Sequence, residues 1–262
     1  MKKLLVLITI ALLPLSTWAY DAIIDGIYYD LNTTEKTATV TYLYEYNVSN
    51  MGAYSGDVFI PSEVVSDAVK YKVTRINGYA FYYCSKMTSV SIPQSVTSIG
   101  LYAFSRSGLA SVTIPSSVTS LGRYAFAQCS GLKSVSIPHG ITSIEDYVFE
   151  DCNNLISVTI EATTPYTIKK STFTNRKNAT LHVPKGSKTA FEAADIWNEF
   201  KEIVEIPIIE FADAKVKALC VANWDANNDG EVSVTEAAAV DDLGDVFNYK
   251  SIETFEDRKS VV

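Results

Sequence analysis

Between residues 73 and 160 the apolar positions fall into one unit written four times. Val73-Thr-Arg-Ile-Asn-Gly-Tyr-Ala-Phe81, Val96-Thr-Ser-Ile-Gly-Leu-Tyr-Ala-Phe104, Val118-Thr-Ser-Leu-Gly-Arg-Tyr-Ala-Phe126 and Ile141-Thr-Ser-Ile-Glu-Asp-Tyr-Val-Phe149 recur every 22 or 23 residues. Each is followed by a small or Cys position, a polar turn and a second apolar stretch: Met87-Thr-Ser-Val-Ser-Ile-Pro93, Leu109-Ala-Ser-Val-Thr-Ile-Pro115, Leu132-Lys-Ser-Val-Ser-Ile-Pro138 and Leu155-Ile-Ser-Val-Thr-Ile160. A fifth, degenerate copy runs through Ile168, Phe173 and Leu181-His-Val-Pro184. Val90 and Ile92 alternate with Ser89 and Ser91, the period of a half-buried strand. A single unit of this length cannot bury its apolar face, so the fixed period predicts a stacked solenoid. Its second stretches would form one parallel sheet, ended at the same edge by Pro, which has no amide hydrogen. Phe81, Phe104, Phe126 and Phe149 would then form a buried ladder in the opposite wall.

The pattern I-x-x-x-A-F-x-x-C-x-x-L-x-x-V-x-I-P resembles the BspA-like, or Treponema-type, leucine-rich repeats of host-associated anaerobic bacteria, over about residues 73–186. The departures are Ser107 in place of Cys, Glu145 in place of Gly, and the loss of Pro after Ile160. The resemblance implies a secreted or surface protein, of a kind that includes adhesins for host proteins or partner bacteria, and repeats without catalytic residues.

The flanks also carry pattern. Asp25-Gly-Ile-Tyr-Tyr-Asp30, Thr37-Ala-Thr-Val-Thr-Tyr42 and Tyr54-Ser-Gly-Asp-Val-Phe-Ile-Pro61 read as strands that close the first coil. Residues 185–200 are similar to the helical segment that ends such arrays. The expected fold is therefore a mainly β, leucine-rich-repeat-like solenoid with a parallel sheet on one face, an N-terminal β cap and a small C-terminal α-helical EF-hand-like module. The expected segments are a signal peptide at 1–19, the β cap at 20–72, about five repeat coils at 73–186, a helical cap at 187–206 and a calcium module at 207–256. Asp257-Arg-Lys-Ser-Val-Val262 back-translates, with a following stop, to a widely used sequencing-adapter sequence. The tail at 257–262 is thus expected to be non-native, with the reading frame continuing beyond Glu256.

The candidate chemistry lies after Pro207. Asp225-Ala-Asn227-Asn-Asp229-Gly230-Glu231-Val-Ser233-Val-Thr-Glu236 fills every key position of a twelve-residue EF-hand loop. Asp225, Asn227 and Asp229 supply side-chain oxygens at positions 1, 3 and 5, and Gly230 permits the turn. Glu231 offers its carbonyl, Ser233 acts through a water, and Glu236 binds bidentately. Only hard oxygen donors are present, so Ca²⁺ is the expected cofactor, favoured over transition metals. Phe211, Val216, Leu219 and Cys220 before the loop, and Val240, Leu243 and Phe247 after it, are spaced as helix packing faces. Dockerins resemble a pair of such loops, and the second is missing here. A lone loop reads as a staple for the fold rather than as a sensor.

Composition then removes alternatives. A hydrophobic content of 47% with 20% charged residues is that of a globular chain, and a formal charge of −8 argues against nucleic acid and anionic membranes. Lys2 and Lys3, the apolar run Leu4 to Leu13 and Thr17-Trp18-Ala19 form a secretory signal, too short to span a bilayer. Export, to the medium or to a bacterial cell surface, and a monomer with no transmembrane segment in the mature chain are expected. Cys84, Cys129 and Cys152 share one repeat position, where parallel side chains suit burial better than bridging. No catalytic motif is present, and His139 and His182 stand outside any, so the chain is read as a non-catalytic protein. Tyr79, Tyr102, Tyr124 and Tyr147 recur two residues before each core Phe. They form either an aromatic row for contact with host or bacterial surface proteins, or with glycans, or a ladder that merely covers the coil edges. The outer side of the sheet would be a polar strip of Ser89, Ser91, Ser111, Thr113, Ser134, Ser136, Ser157 and Thr159. The functional expectation is protein-protein adhesion stabilised by Ca²⁺, with an accessory carbohydrate-binding or spacer module as the alternative.

Overall fold

A sequence that repeats its strand every 22 or 23 residues pairs each strand with its own copy. The computed structural model shows this pairing; it describes residues 20–42, 52–211, 214–238 and 240. Residues 1–19, expected to be a signal segment, the tail 257–262, Leu243 and Phe247 lie outside the described residues.

The chain opens with β1 (Ala22–Ile24) and β2 (Ile27–Asn32), an antiparallel hairpin turned by Asp25 and Gly26 at φ 51° and 79°, the left-handed pair that an Asp-Gly turn supplies. Next come β3 (Thr37–Val40), antiparallel to β2, β4 (Ser55–Phe59), and the hairpin of β5 (Glu63–Ser66) with β6 (Val69–Ile76). Two walls then alternate along the chain. The back wall continues from β6 through β8 (Ser98–Ile99) and β10 (Ser120–Leu121), all parallel, with β3 on the other side of β6. On the front wall β4 pairs with β7 (Lys86–Ser91) as a two-stranded sheet, and a separate five-stranded sheet runs in order through β9 (Ser111–Thr113), β11 (Ser134–Ile137), β12 (Ser157–Ile160), β13 (Thr180–Val183) and β14 (Glu202–Glu205). The architecture is thus mainly β with parallel sheets and few helices. Front-wall register is strict: Val112, Val135, Val158, Leu181 and Ile203 stand opposite one another and are all buried. The hydroxyl residues between them face outward.

Between the walls the Phe side chains stack. Phe81, Phe104, Phe126, Phe149 and Phe173 lie with successive ring centroids 4.9, 5.1, 5.5 and 5.0 Å apart and ring planes within 6°. Parallel strands repeat at about 4.8 Å, so the backbone ladder sets the ring spacing. The stack is closed by Tyr54 tilted on Phe81 at one end and by Trp197 and Phe200 on Phe173 at the other. Trp197 also donates its indole N–H to the Tyr166 carbonyl at 2.7 Å.

Close approach of coils explains the glycine of the repeat. Gly100 donates its N–H to Ile76 O and Gly122 to Ile99 O, both at 2.8 Å. A Cβ on Gly100 would lie 2.4 Å from Gly78 N, and one on Gly122 2.5 Å from Leu101 N. The fourth coil carries Glu145 at this position, and there the back wall stops at β10: residues 141–144 form no strand. The two coils stay joined beyond this point, through Phe126 N–H to Val148 O at 2.9 Å and Gln128 N–H to Glu150 O at 2.7 Å.

The segment expected to be a helical cap differs. Only Lys188–Ala193 (α1) is α-helical; a 3-10 turn at Trp197–Glu199 follows, and then β14 adds a further rung to the front sheet. Phe191 and Trp197 are buried, so this end is closed by aromatic packing and a strand as much as by a helix. Arg176, itself buried, holds the turn by donating to Lys170 O, Phe173 O and Glu199. Among the described residues no helix is long and apolar enough to cross a membrane.

Two substitutions test this packing. Phe126→Ala is expected to cost about 3–5 kcal/mol, because it empties the middle of the ring stack. Gly122→Ala should cost about 1–3 kcal/mol by forcing two coils apart. Denaturant unfolding of the protein measures both, and a neutral Gly122→Ala would refute the close-approach explanation.

Candidate functional site

The segment after β14 builds a small second core. Helix α2 (Ala214–Trp224) buries Val216 and Cys220 against Val232, with Ile209, Phe211, Trp224 and Ala237 packed around them. Helix α3 (Val234–Ala238) follows the loop. The loop edge is paired: Ile209 N–H donates to Val232 O at 2.8 Å, and Ile208 and Ser233 form an antiparallel bridge. The chain leading into α2 thereby satisfies the strand edge of the loop.

Within the loop the side chains of Asp225, Asn227, Asp229 and Glu236 fold inward onto backbone amides. Asp225 accepts from Asp229 N–H at 3.1 Å and Gly230 N–H at 2.8 Å, Asn227 from Asp229 N–H at 2.9 Å, and Asp229 from Glu231 N–H at 2.9 Å. Gly230 sits at φ 84°, a conformation that a Cβ disfavours. Glu236, 5% exposed, accepts from Ala226 and Asn227 N–H at 2.9 and 3.2 Å, which brings position 12 back to the loop start. Ser233 N–H donates to Glu236 and Glu236 N–H to the Ser233 hydroxyl, at 2.8 and 3.1 Å. This is the reciprocal capping box of Ser-x-x-Glu, legible in the sequence but subsumed there by the ligand pattern. The Glu231 side chain turns away and pairs with Lys217 Nζ at 2.7 Å. Among the described residues no three His, Cys, Asp or Glu side chains converge as a preformed metal cage. The donor set is nevertheless all hard oxygen, and the loop's two ends meet at Glu236, which fits a Ca²⁺-type cation.

One residue that sequence reasoning left unassigned sits beside this loop. Glu161 occupies the position after the strand where the neighbouring coils carry Pro93, Pro115, Pro138 and Pro184. A cavity of about 340 Å³ separates the coil edge from the loop, lined by Pro115, Pro138, Glu161, Trp224 and Glu236. Burial, and then the charge of Glu236, push the Glu161 carboxyl up to about 7, although it accepts the His139 amide at 3.3 Å. The missing Pro was the available signal, visible as a lapse in the repeat but without meaning until the chain folds back.

The four repeat tyrosines stack on the coil edge: Tyr79–Tyr102, Tyr102–Tyr124 and Tyr124–Tyr147 lie 5.2, 4.6 and 4.8 Å apart, with planes within 19°. All four hold left-handed backbone, at φ 63°, 55°, 61° and 66°. The residues four positions on, Tyr83, Arg106, Gln128 and Asp151, do the same. Left-handed backbone costs a bulky residue about 1–2 kcal/mol. Between these two rows runs a groove of about 360 Å³ floored by Ser105 and Ala127, where the flanking coils carry the larger Tyr82 and Glu150. Arg106 Nε donates to Gln128 Oε1 at 2.6 Å, and the Arg123 guanidinium lies 5.1 and 4.7 Å from the rings of Tyr124 and Tyr147. Neighbours occupy both faces of Tyr102 and Tyr124, so these rings offer edges rather than open faces.

Inside, Cys84, Cys129, Cys152 and Cys220 are free and buried. Cys129 and Cys152 thiols donate to Phe104 O and Phe126 O, both at 3.1 Å, and Ser107, the departure from Cys, keeps the contact with Cys129 at 3.3 Å. The adjacent Cys129 thiol and burial hold Cys152 far above the ordinary thiol range, which disfavours its reactive thiolate. His139 and His182 lie in a turn and on β13.

With this geometry the chain can be compared with known proteins. Residues 57–192 match the family described as BspA type leucine rich repeat region, in six copies. No curated protein matches it. Among solved structures it is similar to a leucine-rich repeat protein from Bacteroides ovatus, with 22% identity, 71% of this chain and 53% of that chain covered, and a TM-score of 0.34. The T. pallidum leucine rich repeat protein is 20% identical over 60% of this chain and 78% of its own, with a TM-score of 0.46. A leucine-rich repeat protein from Bacteroides capillosus is 27% identical over 53% and 96%, with a TM-score of 0.44. The chain thus spans about half the length of the Bacteroides ovatus protein.

The left-handed tyrosines lead to a specific expectation. At φ 61° Tyr124→Gly should be more stable than Tyr124→Ala by about 1 kcal/mol, since only Gly escapes the Cβ clash. Thermal unfolding of the two variants checks the order, and equal stabilities would show that the backbone there is unstrained.

Proposed function

The chain belongs to the BspA-type leucine-rich-repeat family, and from that premise we propose that it is an extracellular, non-catalytic bacterial binding protein. In this reading the repeats form a solenoid whose coil edge engages proteins on host or bacterial surfaces. The observation that carries it is the strained tyrosine edge. Four coils hold a bulky ring where Gly would relieve strain, and the groove beside the rings combines Tyr and Arg side chains. Tyr and Arg dominate binding hot spots, and strained backbone gathers at functional surfaces. Glycan stacking is the weaker reading, because the inner rings have no free face to offer a sugar.

The loop from Asp225 to Glu236 is read as a Ca²⁺ site of the EF-hand type that stabilises the segment following the repeats. Asp225, Asn227, Asp229 and Glu236 would ligate through side chains, Glu231 through its carbonyl and Ser233 through a water. Its support is the all-oxygen donor set and the return of Glu236 to the start of the loop.

Both parts are testable. Binding of the mature protein to immobilised host-matrix and bacterial surface proteins is expected to fall tenfold or more in a Tyr102→Gly, Tyr124→Gly double variant that stays folded. Unchanged binding, or binding confined to a glycan array, would overturn the protein-binding reading. Calorimetry should show one Ca²⁺ per chain, lost in Asp225→Asn and Glu236→Gln, with thermal stability rising with the Ca²⁺ concentration. Absence of a binding heat would remove the metal from this account.

A further inference from the structure

The edge of the array and the calcium loop each place one carboxylate on a shared cleft. Glu161 projects from the end of β12, and Glu236 from the first turn of α3. Both line the 340 Å³ cavity, together with Pro115, Pro138 and Trp224. The array contributes Glu where the coils on either side have Pro, so among the coil edges that line the cavity only this one carries a carboxylate. Pro115 and Pro138 are buried on the array side, and Trp224 lines the cleft from the segment after the repeats. When both carboxyls are ionised, two like charges lining one cleft oppose one another. No Lys or Arg lines the cavity; His139 Nδ1 lies 3.9 Å from Glu161 Oε2, and Lys217 is engaged by Glu231.

We infer that Ca²⁺ binding at the loop is coupled to seating of this segment on the repeat array through Glu161. A cation held by Glu236 converts its repulsion of Glu161 into attraction. Without the cation the two carboxylates push the segment off the Pro edge. By reciprocity, the seated state must bind Ca²⁺ more tightly than the unseated one. Glu161 is here a positioning residue and not a seventh ligand. The inference rests on the calcium reading above, and adds to it that the cation controls whether Gln94, Thr113 and Ser116 at the cavity rim are covered.

The experiment is hydrogen exchange on the full mature chain, followed at residues 112–118 and 137–141, with Ca²⁺ titrated and its binding measured in parallel by calorimetry. In the wild type, protection of these array segments should rise as the loop fills. In Glu161→Gln, Ca²⁺ should still bind, about fivefold more weakly, and the same segments should be protected to one level with or without it. Glu161→Pro, which restores the residue of the neighbouring coils, should behave alike and guards against a folding defect specific to Gln. Ca²⁺ binding without any change at 112–118 in the wild type overturns the coupling and leaves the calcium site intact. An equal Ca²⁺-dependent change in Glu161→Gln overturns the role of Glu161. No Ca²⁺ binding at all overturns the calcium reading and the coupling with it.

Discussion

The spacing of the parallel backbone ladder, about 4.8 Å between strands, is the constraint from which the rest of this structure follows. Every feature that repeats must repeat at that distance. The Phe rings comply, at 4.9–5.5 Å, and so do the Tyr rings at 4.6–5.2 Å. Aromatic rings stacked at this separation are in van der Waals contact, and dispersion then reinforces the spacing that hydrogen bonds impose. Gly100 and Gly122 are the price of that spacing on the back wall, where a Cβ would sit 2.4–2.5 Å from the preceding coil.

Departures from the repeat are informative because the constraint is strict. Ser107, smaller than the Cys it replaces, keeps the contact with Cys129, and the rings of Phe104 and Phe126 beside it stay stacked. Glu145 stands at the glycine position, and the back wall ends at that coil. Glu161 changes no packing inside the coil; its amide even makes the ladder bond to Ile137 O that Pro could not, at 3.0 Å. Its consequence lies outside, in the cavity shared with Glu236. A lapse in a repeat can therefore be tolerated, damaging or significant, according to which side of the wall the changed atom faces.

Periodicity also limits what the repeat can say about binding. Residues that recur for stacking and residues that recur for recognition share one pattern. The backbone separates them: Phe ladder residues occupy ordinary conformations, while the outer tyrosines and the residues four positions on are left-handed. The groove between those rows exists only because Ser105 and Ala127 are small where Tyr82 and Glu150 are large.

The sequence by itself determined the coil, its inward and outward positions, the ring ladder and the composition of the Asp225 to Glu236 loop, because each is set by spacing within a short stretch of chain. It also marked the N-terminal strands through an Asp-Gly turn and alternating Thr and apolar residues. It misjudged the end of the array, where a six-residue helix and β14 stand in place of a longer helix. The apolar spacing around Phe191 and Trp197 suits either, and only packing on Phe173 selects between them. The left-handed tyrosines carried no mark, since Gly and Asn, the usual residues of that backbone, are absent from those positions. The meeting of Glu161 with Glu236 was beyond reach, because residues 75 positions apart are joined only when the chain after β14 turns back along the coil edge. Local periodicity decides the unit; where non-repeating segments land on the stack is decided by tertiary packing alone.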